Sequence, residues 1–564
     1  MKHICLVAAL AAAGPALAQD DLLEVIVDPR IAAERGAERG VFGARPDEQV
    51  LIGRLAGLRL IADASQVSTA PIAARATPGP TVQPGTFDFS AVDLPEEEVL
   101  ALTVGGFIDQ PVSIESLRRL ETFIRVHLRA QGYPFYIVAL PEQDITPGIL
   151  NVVVQPSVLD GDVRVEGAEF FPEDQLRAAL AIAPDAPISQ TQLDAAAARL
   201  SRNPYRDVVA VAEAGATPGT TRVTLRTSER RPWTFSAGLT NTGTRATERE
   251  RFSLGVQYGN FLGRGDLLSY RYSADPSSRH SVTHTLGSTH FLGLTDTLSL
   301  SASHTDSDSN LAPPFDQSGS SYTASAIWSR DLGGDRVLSF GLEVKGTDNT
   351  LRFSNTPVSA TATQIVQARM GYGFGFEMWG GQTRIDTQLF LSPGGVTGRN
   401  SDAAFNALRS GAQASYAYAR VSARHDRALS DRLGLTVELT GQVASANLLS
   451  SEQLAAGGLS AVRGFEDNAA FGDHGLVARA SLRLPPVAGP VQPSLFTDYA
   501  YVGSQNLLAG EASHIAIGSV GVAAQAELLP GVRLDAALGY RHTGRRRNSD
   551  SDAVGLNFNL SARF

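Results

Sequence analysis

The sequence predicts a transmembrane β-barrel of about 16 antiparallel strands, preceded by two small α/β modules. Three observations carry that expectation. From about residue 230 onward, apolar residues alternate with small or polar ones over short segments. Short Gly/Asp turns recur between those segments. Ahead of residue 230, strand-like and helix-like segments follow one another in the same order twice.

Taken in chain order, residues 1–18 read as a secretory signal. Lys2 and His3 give a basic start, Ile4–Ala13 is a short apolar run, Pro15 breaks it, and Ala16-Leu17-Ala18 is a small-x-small cleavage site. The only cysteine, Cys5, lies inside this segment. The exported chain is therefore expected to have no disulfide framework, thiolate metal site or cysteine nucleophile. Residues 19–56 are a charged, Ala/Gly-rich extension. Asp28 to Gly40 within it could form a helix, although Gly36 and Gly40 make it a poor one.

Residues 57–157 form the first expected module. Leu58–Ala62 reads as a strand, the Pro/Gly/Thr-rich Thr69–Ser90 as a loop, and Leu94–Val104 as a helix with Pro95 at its start. Ser113 caps the clearest helix, in which Leu117, Leu120, Phe123 (or Ile124) and Leu128 recur at helical spacing and Gly132 marks the end. Two β-rich segments follow, starting at Phe135 and Ile149. Residues 158–229 repeat the scheme: a strand at Asp162, helices at Pro172 and Ser189, and strands at Asp207 and Thr221. Such modules leave a strand edge to which an extended peptide can add.

Residues 230–564 carry the barrel signal. Phe252, Leu254, Val256 and Tyr258 alternate with Arg251, Ser253, Gly255 and Gln257. The same holds for Val532 to Tyr540 and for Val554 to Phe564. Lipid covers one face of such a sheet and the polar face lines a lumen. Phe261–Ser269 and Phe291–Ser299 share Phe-Leu-Gly-x-x-Asp-x-Leu-Ser, and Leu332–Ser339 is a third variant, so the spacing marks one hairpin repeat. At roughly 10 residues per strand, counting allows about twelve to eighteen strands and favours sixteen.

A net charge of −10 without a basic stripe argues against nucleic acid as a partner. His280, His284, His290 and His304 fall within one hairpin repeat; they read as residues of a polar lumen or an interface rather than metal ligands. Asp306 and Asp308 read as a solvated loop. The Gly-rich stretch from Gly371 to Gly381 precedes no helix and is not a nucleotide loop. No cofactor, metal or catalytic residue is implied, and an enzyme is not expected.

One stretch carries a specific resemblance. Residues 459–475 contain Val462-Arg463-Gly464-Phe465 about a hundred residues from the barrel's C-terminus. This resembles the lumenal loop of the outer-membrane transporters and insertases that bear periplasmic POTRA modules. With two POTRA-like modules, a barrel start at Arg231 and the segment from Tyr258 to Tyr272, the chain is similar to two-partner secretion transporters. These are the TpsB type of the haemolysin secretion/activation family (ShlB/FhaC/HecB). The resemblance implies that Arg463 reaches an acidic residue on the inner wall. The segment Leu495–Gly503 nominates Asp498, with Phe496 on the same face. A planar guanidinium can bond a carboxylate through two parallel hydrogen bonds and keeps its charge at any working pH.

The final strand ends on an aromatic, Phe564, with Phe558 and Leu560 on the same alternating face. This resembles the signal read by the barrel-assembly machinery. The expected activity is export of one large haemolysin- or adhesin-like partner across a bacterial outer membrane, by a monomer whose modules stand in the periplasm. An insertase of the same superfamily and a passive porin are the alternatives. Two modules favour export over insertion.

Overall fold

In a computed structural model, residues 42–564 are described, apart from 75–81, 95, 181, 183–187, 218, 310, 312–313, 488, 508–511 and 545–551. The secretory signal and the helix expected at 28–40 lie outside the described residues. The chain divides into two compact units. One ends at Glu229; the other comprises Arg230–Phe564 together with the short stretch Arg202–Tyr205.

The first unit contains two α/β layers. In the first, strands Phe87–Asp88, Gly57–Ile61, Ile149–Pro156 and Tyr136–Ala139 form a sheet in that order. Helix Ile114–Ala130 is started by Ser113, whose hydroxyl accepts from the Ser116 amide while the Ser116 hydroxyl accepts from the amide of Ser113. Its Leu120, Phe123, Ile124 and Leu128 are buried against the sheet, as their spacing predicts. Residues 42–56 pack onto this layer: Val50–Ile52 pairs with Val112–Ser113, Phe42 packs on Phe107 and Phe123, and Glu48 pairs with Arg119 at 2.7 Å.

In the second layer, Thr220–Glu229 pairs antiparallel with Arg206–Ala214 and parallel with the short strands Val158–Leu159 and Arg164–Glu166. Helices Glu173–Leu180 and Gln190–Leu200 cover it through Leu176, Leu180, Leu193 and Leu200. The short strands Phe87–Asp88 and Val158–Leu159 escape sequence reading because two residues carry no period.

The second unit is a closed barrel of sixteen antiparallel strands. They are β1 (Trp233–Thr240), β2 (Arg251–Phe261), β3 (Asp266–Ala274), β4 (Ser281–Leu292), β5 (Asp296–Ser309), β6 (Phe315–Gly333), β7 (Arg336–Phe353), β8 (Thr356–Met378) and β9 (Gly381–Pro393). Then come β10 (Ser415–Ser430), β11 (Leu433–Ala444), β12 (His474–Arg483), β13 (Val491–Gly503), β14 (Ile515–Leu529), β15 (Val532–Thr543) and β16 (Val554–Arg563). Period-two patterning puts Leu254, Leu286, Leu300, Leu538 and Leu556 on the outer face, where all are exposed to what would be lipid. Short turns such as Gly263–Gly265 and Gly333–Asp335 join strands at one end, and the longer loops lie at the other. Strands β6 to β8 have 19, 18 and 23 residues, well above the roughly 10 that cross a bilayer, so the wall continues past the membrane at the long-loop end.

One expectation is corrected here and another is narrowed. Asp306 and Asp308 belong to β5 rather than to a loop, because the ladder with β4 and β6 runs on beyond the lipid-covered part. The strand histidines face outward, not into the lumen. His284 opposes Tyr272 and His304, on the same face as Leu286 and Leu300, and its ring nitrogen bonds the Tyr270 hydroxyl at 2.7 Å. His290 stands near the opposite end, 2.9 Å from Asp266.

Candidate functional site

The connection between β11 and β12, residues 445–473, turns into the lumen. Its own short hairpin pairs Leu454–Ala456 with Ala470–Gly472. The inner faces of β12 to β14 supply the reason: Val477, Ala500, Val502 and Ile517 make an apolar patch in an otherwise polar lumen. Leu454, Ala456, Val462, Phe465 and Ala470 of the loop bury against that patch.

At the loop's tip, Arg463 meets Asp498 of β13. Nη2 donates to Oδ1 at 2.6 Å and Nε to Oδ2 at 2.7 Å, and the Arg463 amide also donates to Oδ2 at 3.0 Å. Nη2 further bonds the Ser481 hydroxyl at 3.0 Å. The guanidinium lies 3.9 Å from the centre of the Phe496 ring, a cation–π stack that holds its plane. Both side chains are buried. A charged cavity of about 330 Å³, lined by Arg424, Asp426, Glu438 and Arg479 among others, opens beside the pair. The lumen therefore stays wet here, which lowers the cost of breaking the pair below that of one in a dry core.

Gly464 lets the tip press flat on the wall. Its φ is +87°, and a Cβ there would stand 2.8 Å from the Gly539 Cα. Gly539 and Gly555 answer from β15 and β16: a Cβ on Gly539 would sit 2.7 Å from the Arg463 carbonyl oxygen. The backbone is then gripped by side chains. Ser519 donates to the Arg463 carbonyl at 2.5 Å, Arg541 Nε to that of Gly464 at 2.6 Å, and Asn557 takes the Gly464 amide at 2.6 Å while donating to the Phe465 carbonyl at 2.9 Å.

Two further anchors were not visible in the sequence. Glu452, fully buried, accepts from Lys345 of β7 at 2.9 Å, Gln367 of β8 at 2.9 Å and the Tyr418 hydroxyl of β10 at 2.8 Å. Burial pushes its carboxyl up, but Lys345 and these donors outweigh that and hold it below the usual range. At the loop's neck, Asp473 accepts from Arg409 at 2.6 and 3.0 Å and from the Leu448 and Gln505 amides, both at 2.9 Å. Arg409 follows a short helix, Asp402–Leu408, in the β9–β10 loop, so the neck is tied to two neighbouring loops. The signal that could have found Glu452 and Asp473 is their acidity inside an otherwise small-residue loop, but nothing local names their partners.

The C-terminal residues lie on the outer face of the last strand. Phe558 and Leu560 stand beside Ala536 and Leu534 of β15, and Phe564 is 76% exposed, with its backbone bonded in both directions to Phe235. Among the described residues no group of three or more His, Cys, Asp or Glu could hold a metal.

Residues 219–524, more than half of the chain, match the profile of the haemolysin secretion/activation protein ShlB/FhaC/HecB. The outer membrane transporter CdiB of Dickeya dadantii (strain 3937) is 22% identical over 444 residues, covering 76% of this chain and 77% of that protein. CdiB-2 of Burkholderia pseudomallei (strain 1026b) is 27% identical over 146 residues, and the match spans only 24% of that transporter's length. Among solved structures, CdiB from Escherichia coli superposes with a TM-score of 0.63 at 16% identity, covering 98% of this chain and all of the other. BamA from Haemophilus ducreyi lacking POTRA domains 1–3 gives 0.55 at 16% identity, over 84% and 98% of the two chains. The structural likenesses concern the fold. With its profile match, its sixteen-stranded barrel and its outer-membrane relatives, the chain belongs to the ShlB/FhaC/HecB family of outer-membrane two-partner secretion transporters.

Proposed function

We propose that this chain exports one large, haemolysin- or adhesin-like partner protein, received unfolded by the two α/β layers acting as POTRA domains and passed through the barrel beside the lumenal loop. The observation that carries this reading is the division of the lumen. The loop is fixed to β7, β8 and β10 through Glu452 and to β13–β16 through its tip. The inner face of β3 to β6 is a different surface, built of rows such as Ser273, Thr283, Thr305 and Ser321, and Ser269, Gly287, Ser301 and Ser325. Small hydroxyls donate and accept alike and form no deep pockets, so an extended backbone of any sequence can slide over them without being read. On the receiving side, Arg206–Ala214 is an edge strand of its sheet with Val209 exposed, which suits addition of an extended segment.

Arg463 and Asp498 keep the loop in its place during passage. The test is deletion of the gene, with mass spectrometry of the culture supernatant, alongside Arg463→Ala. Loss of one large external protein in both strains, with the Arg463→Ala barrel at normal levels, supports the reading. Unchanged supernatants with a general fall in outer-membrane barrels would make the chain an insertase.

A further inference from the structure

The barrel closes on a short seam. β1 and β16 share five register pairs, from Ser236–Arg563 to Thr240–Asn559, against eight between β1 and β2 and nine between β15 and β16. Above Asn559, β16 runs on to Val554 while β1 has already ended. The Asn241 side chain fills in for the missing strand, donating to the Leu556 carbonyl at 2.7 Å and accepting from the Phe558 amide at 2.9 Å. One backbone bond, from the Asn241 amide to the Phe558 carbonyl at 3.4 Å, and these two side-chain bonds stand where a paired strand would continue the ladder, so the wall is least paired at this junction.

The lumenal loop's tip lies behind that stretch. Asn557, whose side chain points inward from the under-paired part of β16, holds the tip by the Gly464 amide and the Phe465 carbonyl. The next residue, Glu466, accepts a hydrogen bond from Arg249, which stands on the connection from β1 to β2. Gly555 lets the contact close, since a Cβ there would overlap the Gly464 carbonyl. The tip thus touches both sides of the seam above its last register pair, where Asn241 alone bridges them.

We propose that Gly464–Glu466 is a lumenal clasp on the β1/β16 seam, with Asn557 as its fixed end and the Glu466–Arg249 ion pair as its releasable end. Glu466 and Arg249 are positioning residues: they act on the wall, not on a transported chain. A bridge between two partly exposed side chains can be released far more easily than a ladder of backbone bonds. The seam can then widen when the tip is displaced, without unpairing the five register pairs below it.

The experiment uses the whole protein in detergent or liposomes and reads the temperature at which the compact, SDS-resistant barrel converts to the unfolded band. Glu466→Gln and, separately, Arg249→Gln are each compared with the parent in two backgrounds: unaltered, and carrying Leu239→Cys with Leu560→Cys, a facing pair across the seam. The sole native cysteine is Cys5, so the engineered bond has no competitor in the barrel. A clasp predicts that each substitution lowers the conversion temperature by roughly 2–4 °C, and that both losses vanish once the seam is cross-linked. The proposal is overturned if neither substitution shifts the temperature, or if the shifts persist in the cross-linked background, which would assign the pair to the loop alone. Because the readout is not export, a failure here leaves the transport reading untouched.

Discussion

The Glu452 carboxylate and the Lys345 ammonium meet at 2.9 Å, 107 residues apart in the chain, with the carboxylate fully shut off from solvent. This pair holds the lumenal loop to the wall opposite the one that Arg463 grips, so the loop is fixed at two ends rather than hung from one.

Glu452→Ala should free the loop's rising limb. It strips the acceptor from the Tyr418 hydroxyl, whereas Gln367 retains Glu343 at 2.9 Å and Lys345 retains it at 3.4 Å. Removing one member of a buried pair costs about 3–5 kcal/mol, and the lower end is expected because Lys345 is only partly orphaned. Limited proteolysis should cut the loop in the variant while the barrel stays compact. A loop as resistant as the parent's would show that the Arg463 end suffices.

The glycine niche predicts an effect from either side. Gly464→Ala places a side chain at a φ of +87°, a conformation costing roughly 1–2 kcal/mol for a residue with a Cβ. Gly539→Ala carries no such strain but pushes a methyl toward the Arg463 carbonyl at 2.7 Å. Both should reduce export of the partner at normal barrel levels. If only Gly464→Ala does so, backbone strain rather than close approach sets the requirement.

Loop docking should depend on pH through Asp467. Burial pushes its carboxyl up to about 6 from an ordinary 3.8, and its Oδ1 has no hydrogen-bond partner among the described residues. The docked loop therefore prefers the protonated acid. The favourable contribution is complete below the ordinary value and fades as pH rises through about 6. Protease protection of the loop should be greater near pH 5 than near pH 8, and Asp467→Asn should flatten that difference. An unchanged pH profile in Asp467→Asn would transfer the effect to another group.

Much of the architecture was legible because it is periodic. Alternation through Phe252–Tyr258 and Val532–Tyr540 states which face of each strand meets lipid, and the repeated Phe-Leu-Gly turn states the hairpin length. Counting at roughly 10 residues per strand left twelve to eighteen strands and favoured the sixteen that the barrel has. The extra length of β6 to β8 does not follow from that spacing, since the pattern alone cannot separate a residue in lipid from one above it; this is why Asp306 and Asp308 look like loop. Arg463 and Asp498 were nominated by resemblance, and they lie 2.6 Å apart. Glu452, Asp473 and Arg249 were missed for a different reason. Each is one charged residue whose partners come from distant strands or loops, and no local pattern encodes that meeting.

The tip's seat is made by residues synthesised after it. Arg541 and Asn557 follow Gly464 by 77 and 93 positions and belong to the last two strands. The tip's last contacts consequently form only once the C-terminal hairpin is in place. Those two strands act as a keystone for the tip: without Arg541 and Asn557 it would be held by Asp498 and Ser519 from one side only.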